Sequence, residues 1–518
     1  MNLLLLFLLG LITYFIVQRL SSVTRTPTWL LWLVVMTPAF IWNGWILVRG
    51  KEKPPPELFL IPFIICLVLY WFLIQWGRIS PPPTVNSSAT PDSVSVAGEK
   101  TETPSDASGA RPIDKAEEAS LQNCFPWSVY YLQNIEYRPQ AVICKGQLRG
   151  KAEVAYQTVQ ENVKERFGDR FYLVFQEGPN DKPFFVLVPN PRSRSSANQD
   201  PRSFSKATAP NAAGNPAQKA PRQAKERITR PFLAAGLLLA TFLTTLMAWS
   251  ELTDKPLQFS WSSLFYGLPY ALSLMAILGV HELGHYLTAR RYKIQTTLPY
   301  FIPVIPIQIF PYGTFGAFIQ IRTPIPHRRA LFDVGIAGPL AGFVMTLPLL
   351  LWGLANSDVV PQPQNAGMFN FQALDPSFSF LLALLSKIAL GDKLAPELAI
   401  KLHPVAVASC LGLVVTAINL MPVGQLDGGH IVHAMFGQRT GAAIGQVSRL
   451  LLLLLSFAQP HLMPWAIFLF LIPAIDEPAL NDVTELDNRR DLWGLLALVL
   501  LLLIILPTPP LLNSWLNI

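Results

Sequence analysis

The residues with the clearest capacity for chemistry are His281-Glu282-Leu283-Gly284-His285. On a helix the two histidines are about 400° apart, so both imidazoles face one way and can hold one Zn²⁺. Glu282 is offset by about 100° and reaches water beside the metal rather than the metal itself. A carboxylate placed there can take a proton from zinc-activated water and pass it to a leaving amine. A catalytic zinc also needs a third protein ligand. The extended pattern HExxHxxGxxH fails, because Thr288 and Arg291 stand at its Gly and His positions. No Asp or Glu lies between Glu282 and Asp333, so a third carboxylate must come from further along the chain.

The best placed acid is Asp427, in Asn419-Leu420-Met421-Pro422-Val423-Gly424-Gln425-Leu426-Asp427-Gly428-Gly429-His430. This turn ends a second apolar run, so its acid can reach similar depth, and Gly428 and Gly429 allow close backbone approach. Asn419 could hydrogen-bond a substrate carbonyl or a developing oxyanion. His430 and His433 share helical spacing with Asp427; they read as supporting or helix-surface residues before they read as a second metal site. Asp333 opens an apolar run and reads as a structural polar contact, while His327, His403 and His461 sit beside prolines or in loops. Cys66, Cys124, Cys144 and Cys410 form no metal-type spacing.

The elements that must hold this chemistry are apolar. Pro256 to Val280 carries no charge, and the motif follows immediately. Such a run is long enough to span a bilayer, and ionisable groups at membrane depth are costly and usually functional. The whole chain of 518 residues is 51% hydrophobic and 14% charged, the profile of a polytopic membrane protein with a soluble portion. Apolar runs at 3–18, 29–48 and 58–76 open it, the first read as a membrane helix rather than a signal peptide. Others follow at 232–250, 261–289, 331–354, 405–421, 449–457 with 465–475, and 492–506. Between 294 and 322, Pro299, Pro303, Pro306, Pro311, Gly313 and Gly316 interrupt an otherwise apolar stretch. Non-helical backbone at that depth must be buried by protein or line a cavity, so a re-entrant hairpin beside the site is expected.

The expected fold is therefore an α-helical polytopic membrane protein of about 8–9 transmembrane helices. A small soluble α+β insert is expected as βαββ, with strands at 140–148, 171–176 and 183–188 and a helix at 151–167. The implied domains are N-terminal transmembrane helices (1–78), a Pro/Ser-rich linker (79–113), the soluble βαββ-like domain (114–190), a basic linker (191–230) and the catalytic membrane domain (231–518). Most of the net charge of +7 lies between Arg192 and Arg230, next to a membrane run. That reads as a positive-inside signal, not as nucleic-acid binding. Arg290, Arg291, Lys293, Arg322, Arg328 and Arg329 fit the same side, which puts the active site near the cytoplasmic face; Arg49, Lys51 and Lys53 do not fit this count.

Together, the intramembrane His-Glu-Leu-Gly-His, the Gly-rich hairpin, the Gly338-Pro339-Leu340-Ala341-Gly342 run and the distal Leu-Asp-Gly-Gly turn resemble the site-2 protease family of intramembrane zinc metalloproteases. The Pro-Tyr-Gly-Thr-Phe-Gly-Ala-Phe hairpin and the segment from Asp476 look like its cyanobacterial and chloroplast branch. The resemblance covers roughly Phe232 to the end. It implies Zn²⁺ held by His281, His285 and Asp427, with Glu282 as catalytic base. It also implies cleavage of single-span membrane protein substrates in the lipid bilayer of a cyanobacterial plasma or thylakoid membrane. Many members carry Asn where Gly342 stands, and no PDZ-like module is evident between the motifs. Two other readings are a membrane zinc protease acting on water-exposed substrate ends and a non-catalytic metal-binding membrane protein. The Leu-Asp-Gly-Gly turn argues against the first and the intact Glu282 against the second.

Overall fold

The computed structural model describes residues 27–49, 113, 115–138, 141–178, 182–191, 230–252, 261–306, 310–362, 370–395, 398–459 and 462–516, with a few isolated positions before residue 74. The runs expected at 3–18 and 58–76, both linkers and the basic cluster fall almost wholly outside the described residues, as does His461. The chain divides into two units, Met1–Ser105 and Asp106–Ile518. In the first, α1 (Thr28–Arg49) runs through Pro38 and contains the apolar run expected at 29–48.

The second unit opens with α2 (Lys115–Gln122) and a four-stranded antiparallel sheet. Its strands are β1 (Tyr130–Arg138), β2 (Ala141–Leu148), β3 (Phe171–Gln176) and β4 (Phe184–Pro189), in the order β1-β2-β4-β3. Helix α3 (Ala152–Phe167) lies between β2 and β3 in sequence; of the stripe Ala155, Val159, Val163 and Phe167 that made it legible, the first three are buried, together with Tyr156. β3 alternates strictly between buried and half-buried positions, as one face of a sheet on a core must. Phe175 and Phe185 stack at 4.1 Å in that core. The sheet has one strand more than the expected βαββ. β1 pairs with β2 across an irregularity between Leu132 and Asn134, and most of its residues are exposed or half-buried. An edge strand of that kind lacks the period-two pattern that would mark it in sequence.

The remainder is mostly helical. Helix α4 (Pro231–Leu252) is followed by α5 (Trp261–Arg291), which carries the His-Glu-Leu-Gly-His motif in its C-terminal third. Strands β5 (Tyr300–Pro303) and β6 (Thr314–Phe318) form the expected hairpin. Extended pairing continues past the strands: Thr297 N–H bonds the Gln320 carbonyl at 3.0 Å, and Arg322 N–H bonds the Gln295 carbonyl at 2.8 Å. Helix α6 (Arg328–Ala355) follows. An insert pairs β7 (Asp358–Pro361) with β8 (Leu398–Lys401) around α7 (Phe380–Leu390). Helix α8 (Pro404–Leu420) then leads through a tight turn to α9 (Asp427–Phe436) and α10 (Gln438–Ala458). The chain continues with α11 (Met463–Leu471) and α12 (Asn488–Ile505).

Among the described residues, four helices are long and apolar enough to cross a membrane: Pro231–Leu252, Phe265–Arg291, Arg328–Ala355 and Gln438–Phe457. The last begins eleven residues before the apolar run expected at 449, because its first turns carry Gln438, Arg439 and Gly441 and dilute the hydropathy. Helix α8, at 17 residues, is short for a straight span of about 20. Helices α5, α6 and α8 pack on one another. Their outward residues, among them Leu272, Leu283, Leu287, Leu340 and Val344, stay apolar and exposed, as lipid-facing positions do. His327 and His403, which sit beside prolines, each cap a helix: their Nδ1 atoms accept the main-chain N–H of Ala330 and Val405.

Candidate metal centre

Helix α5 has two different sides over one turn. Leu283 and Leu287 are exposed, whereas His281, Glu282 and His285 are buried. The histidine face meets α6 at its small residues. A Cβ added at Gly338 would lie 2.0 Å from His285 Nε2, and one at Gly342 would lie 3.1 Å from both Cβ and Nδ1 of His281. The Gly-Pro-Leu-Ala-Gly run is thus the seat of the two imidazoles. The glycine at 342, where many members of the resembled family have Asn, is filled by the His281 ring edge.

Asp427 arrives from the other direction. It is the first residue of α9, set there by a turn folded back on the end of α8. Added Cβ atoms at Gly428 and Gly429 would meet the carbonyls of Leu420 and Gly424 at 2.0 and 2.1 Å, so no side chain fits either position.

These elements bring three donor atoms together. His281 Nε2 and His285 Nε2 are 3.2 Å apart; Asp427 Oδ2 is 3.5 Å from the first and 3.3 Å from the second. An ion held tetrahedrally at about 2.0–2.2 Å from its ligands sets them about 3.3–3.6 Å apart, so the triangle has the right size for one small cation. The hydrogen bonding points the same way. His285 Nδ1 donates to the Val334 carbonyl on α6 at 2.7 Å, which fixes the tautomer and leaves the Nε2 lone pair facing inward. A second imidazole nitrogen and a carboxylate oxygen converge on that lone pair, an arrangement that a cation between the three would satisfy. Among the described residues this is the one group of three or more His, Cys, Asp or Glu side chains so converged.

Two further groups border the triangle. Asn419, near the end of α8, brings its amide Nδ2 to 3.2 Å from His281 Nε2. Glu282 lies beside the main-chain N–H of Ile319, immediately after β6, so the hairpin runs along the carboxylate. All five residues singled out in the sequence, His281, Glu282, His285, Asn419 and Asp427, are therefore found at one place.

The histidines on α9 are not part of the triangle. His430 Nδ1 and His433 Nδ1 both contact Asp476 Oδ2, at 2.8 and 2.7 Å, and His433 Nε2 contacts Asp482 at 3.0 Å. Asp333 pairs with Arg490 through both carboxylate oxygens at 2.7 Å and accepts from Tyr292 Oη, the structural polar role expected of it. The Val334 carbonyl, Asp476 and Asp482 were not singled out in the sequence. A carbonyl has no sequence signal, and the two acids were visible only as part of the Asp-Glu-Pro-Ala-Leu-Asn-Asp segment.

Comparison with known proteins gives two family matches, peptidase family M50 over residues 269–458 and the EGY3 middle domain over residues 119–195. The probable zinc metalloprotease EGY2, chloroplastic, of Arabidopsis thaliana is 31% identical over 393 residues, covering 74% of this chain and 63% of the relative. The probable zinc metalloprotease EGY1, chloroplastic, of the same plant is 35% identical over 248 residues, 46% of this chain and 43% of the relative. The probable zinc metalloprotease EGY3, chloroplastic, of Oryza sativa subsp. indica is 24% identical over 405 residues, 75% and 63% of the two chains. The chain thus spans less than two thirds of the length of these relatives. No solved structure matches it.

Proposed function

Residues 269–458 are a domain of peptidase family M50, the site-2 protease family, and on that premise we propose that this chain is an intramembrane zinc metalloendopeptidase. The observation that carries the reading is the triangle of His281, His285 and Asp427 with Glu282 beside it, on a helix whose other side is apolar and exposed. Two imidazoles and one carboxylate are a donor set suited to zinc, and three protein ligands leave a position open for chemistry.

Bound zinc supplies a Lewis acid that polarises the scissile carbonyl and acidifies water. The rest falls to the chain. Glu282, one residue from a ligand but about 100° round the helix, takes the proton from the attacking water and returns it to the leaving amine. Asn419 donates its amide to the oxyanion that develops on the scissile carbonyl. The hairpin holds the substrate. A membrane helix keeps its amide groups bonded to itself and must be drawn out before a peptide bond is reachable. The extended backbone from 314 to 322 offers strand pairing for that purpose.

The proposed substrates are single-span membrane proteins, and the proposed setting is a thylakoid or plasma membrane of photosynthetic lineage, in keeping with relatives named chloroplastic. The basic residues Arg290 and Arg291, which end α5, support a proposed site near the cytoplasmic or equivalent face. The proposed total of eight or nine spans adds shorter and partly described helices to the four long ones.

The test is reconstitution of the full chain in detergent with a single-span substrate, beside Glu282→Gln. Zinc content near one per chain in both proteins, with cleavage lost only in the variant, is the expected result. Equal cleavage by both would remove Glu282 from the chemistry, and a wild-type protein without zinc would end the reading.

A further inference from the structure

The soluble module does not hang free of the catalytic domain. Strand β3 is the outer strand of its sheet, and its free edge is occupied by segment 479–483 of the membrane domain. Phe175 N–H bonds the Leu480 carbonyl at 2.7 Å, and Asp482 N–H bonds the Phe175 carbonyl at 2.9 Å. On its other side the same segment is bonded to the approach to α6: Leu480 N–H to the Ile325 carbonyl at 2.8 Å, and Asn481 N–H to the Pro326 carbonyl at 3.0 Å. Leu480 and Val483 pack against the core of the module. Beside this strap, Arg439 donates to the Gly178 carbonyl at 2.9 Å.

A line of charged side chains runs through the same junction. Glu177, just past β3, accepts from Arg328 at 2.8 Å; Arg328, the first residue of α6, also reaches Asp482 at 3.4 Å. Asp482 meets His433, and His433 and His430 both meet Asp476. Arg328, Asp482, His433 and Asp476 are all buried. Ionised groups taken out of water persist only with partners, so these positions are mutually fixed. The line ends on α9, whose first residue is Asp427. His433 is six residues further on, about 9 Å along a short helix, which moves as one body.

We propose that the soluble module is a working part of the metal centre: Glu177, Arg328, Asp482, His433 and Asp476 form a clasp that holds α9, and with it Asp427, in position against His281 and His285. The inference rests on the reading of those three residues as the ligand set. Its members are positioning residues, since none touches the metal or the scissile bond. It gives the module a task that its sequence, which lacks catalytic side chains, did not reveal. An undocked module leaves the two histidines in place on α5 and loosens the third ligand.

Zinc affinity of the purified full chain, measured by competition with a chromophoric chelator, tests this directly. Asp482→Asn, in the buried part of the clasp, is expected to weaken zinc about tenfold or more, within the range for residues that support ligands. Glu177→Ala, at the half-exposed end of the clasp with Asp482 still beside Arg328, should weaken it in the same direction by about threefold. The decisive comparison is the same pair of substitutions made in Asp427→Ala. If the clasp acts through Asp427, neither weakens zinc further there. Equal losses in both backgrounds, or no loss in the wild-type background, would overturn the clasp while leaving the ligand set standing. A wild-type chain that binds no zinc, or an Asp427→Ala variant that binds it unchanged, would overturn both.

Discussion

Gly338→Ala places one methyl group where the metal centre has no room. The added Cβ would lie 2.0 Å from His285 Nε2, 2.4 Å from Cδ2 and 2.5 Å from Cε1. Against an ordinary contact of about 3.4 Å, the shortfall is about 1.4 Å. The ring cannot absorb it by turning, because its other nitrogen is bonded at 2.7 Å to Val334 on the same helix as the new methyl. Either α6 retreats, and the Val334 bond goes with it, or the ring leaves the triangle. Helix propensity alone favours alanine over glycine by about 1 kcal/mol, whereas overpacking of this kind costs about 1–3 kcal/mol, so the clash decides the outcome. Losing the Val334 bond alone corresponds to about 10–100-fold in metal affinity. The assay is zinc competition on purified protein with far-ultraviolet circular dichroism to register helicity. Gly236→Ala on α4, where an added Cβ meets nothing within 4 Å, is the control and should bind zinc as wild type does. A Gly338→Ala protein with wild-type zinc affinity would refute the packing argument.

Three further outcomes are expected. Asp427→Ala should weaken zinc by more than about 100-fold, since a ligand outweighs a residue that supports one; unchanged metal content by plasma emission would exclude it from the ligand set. Asn419→Ala should keep its zinc and lose about 10²–10³ in kcat, the usual cost of an oxyanion donor, and single-turnover cleavage at wild-type rate would count against that role. The third concerns pH. Burial pulls the His433 imidazolium down, but its hydrogen bonds to Asp476 and Asp482 outweigh burial and lift its pKa to about 9. A raised pKa stabilises the clasp fully below the ordinary value near 6.5, and that contribution fades as pH climbs through about 9. Hydrogen exchange at Phe175 and Asp482, corrected for the intrinsic rise with pH, should therefore show docking lost between pH 7 and 10; constant protection across that range would contradict it.

What could be read from the sequence was what repeats locally. Helix α3 announces itself by Ala155, Val159 and Val163, and α5 by an uncharged run ending in two histidines one turn apart. The hairpin is marked by Pro299, Pro303, Pro306 and Pro311 with Gly313 and Gly316, a density of breakers that interrupts a continuous helix. Asp427 was found because its glycines and the apolar run before it gave it a depth as well as a charge. The rest depends on partners far away in the chain. Strand β1 has no alternating pattern because it lies at an edge. The pairing of Phe175 with the strap leaves no periodic trace in either segment. His433 could be read only as a histidine on a helix, since the acids that bury it, Asp476 and Asp482, lie more than forty residues later.

The strap also imposes an order in time. The soluble module is made early, yet the backbone that covers the edge of β3 is made about 300 residues later. At about 5–20 residues per second, a ribosome takes roughly 15–60 s to supply it. For that interval Phe175 has open main-chain groups, and over its last forty to fifty residues the newly made α9 lacks the acids that hold His433. Under the clasp reading, a half-made chain carries both histidines and Glu282 in the bilayer without a secured third ligand. On that reading the metal centre reaches its full zinc affinity only once the strap has been made and docked.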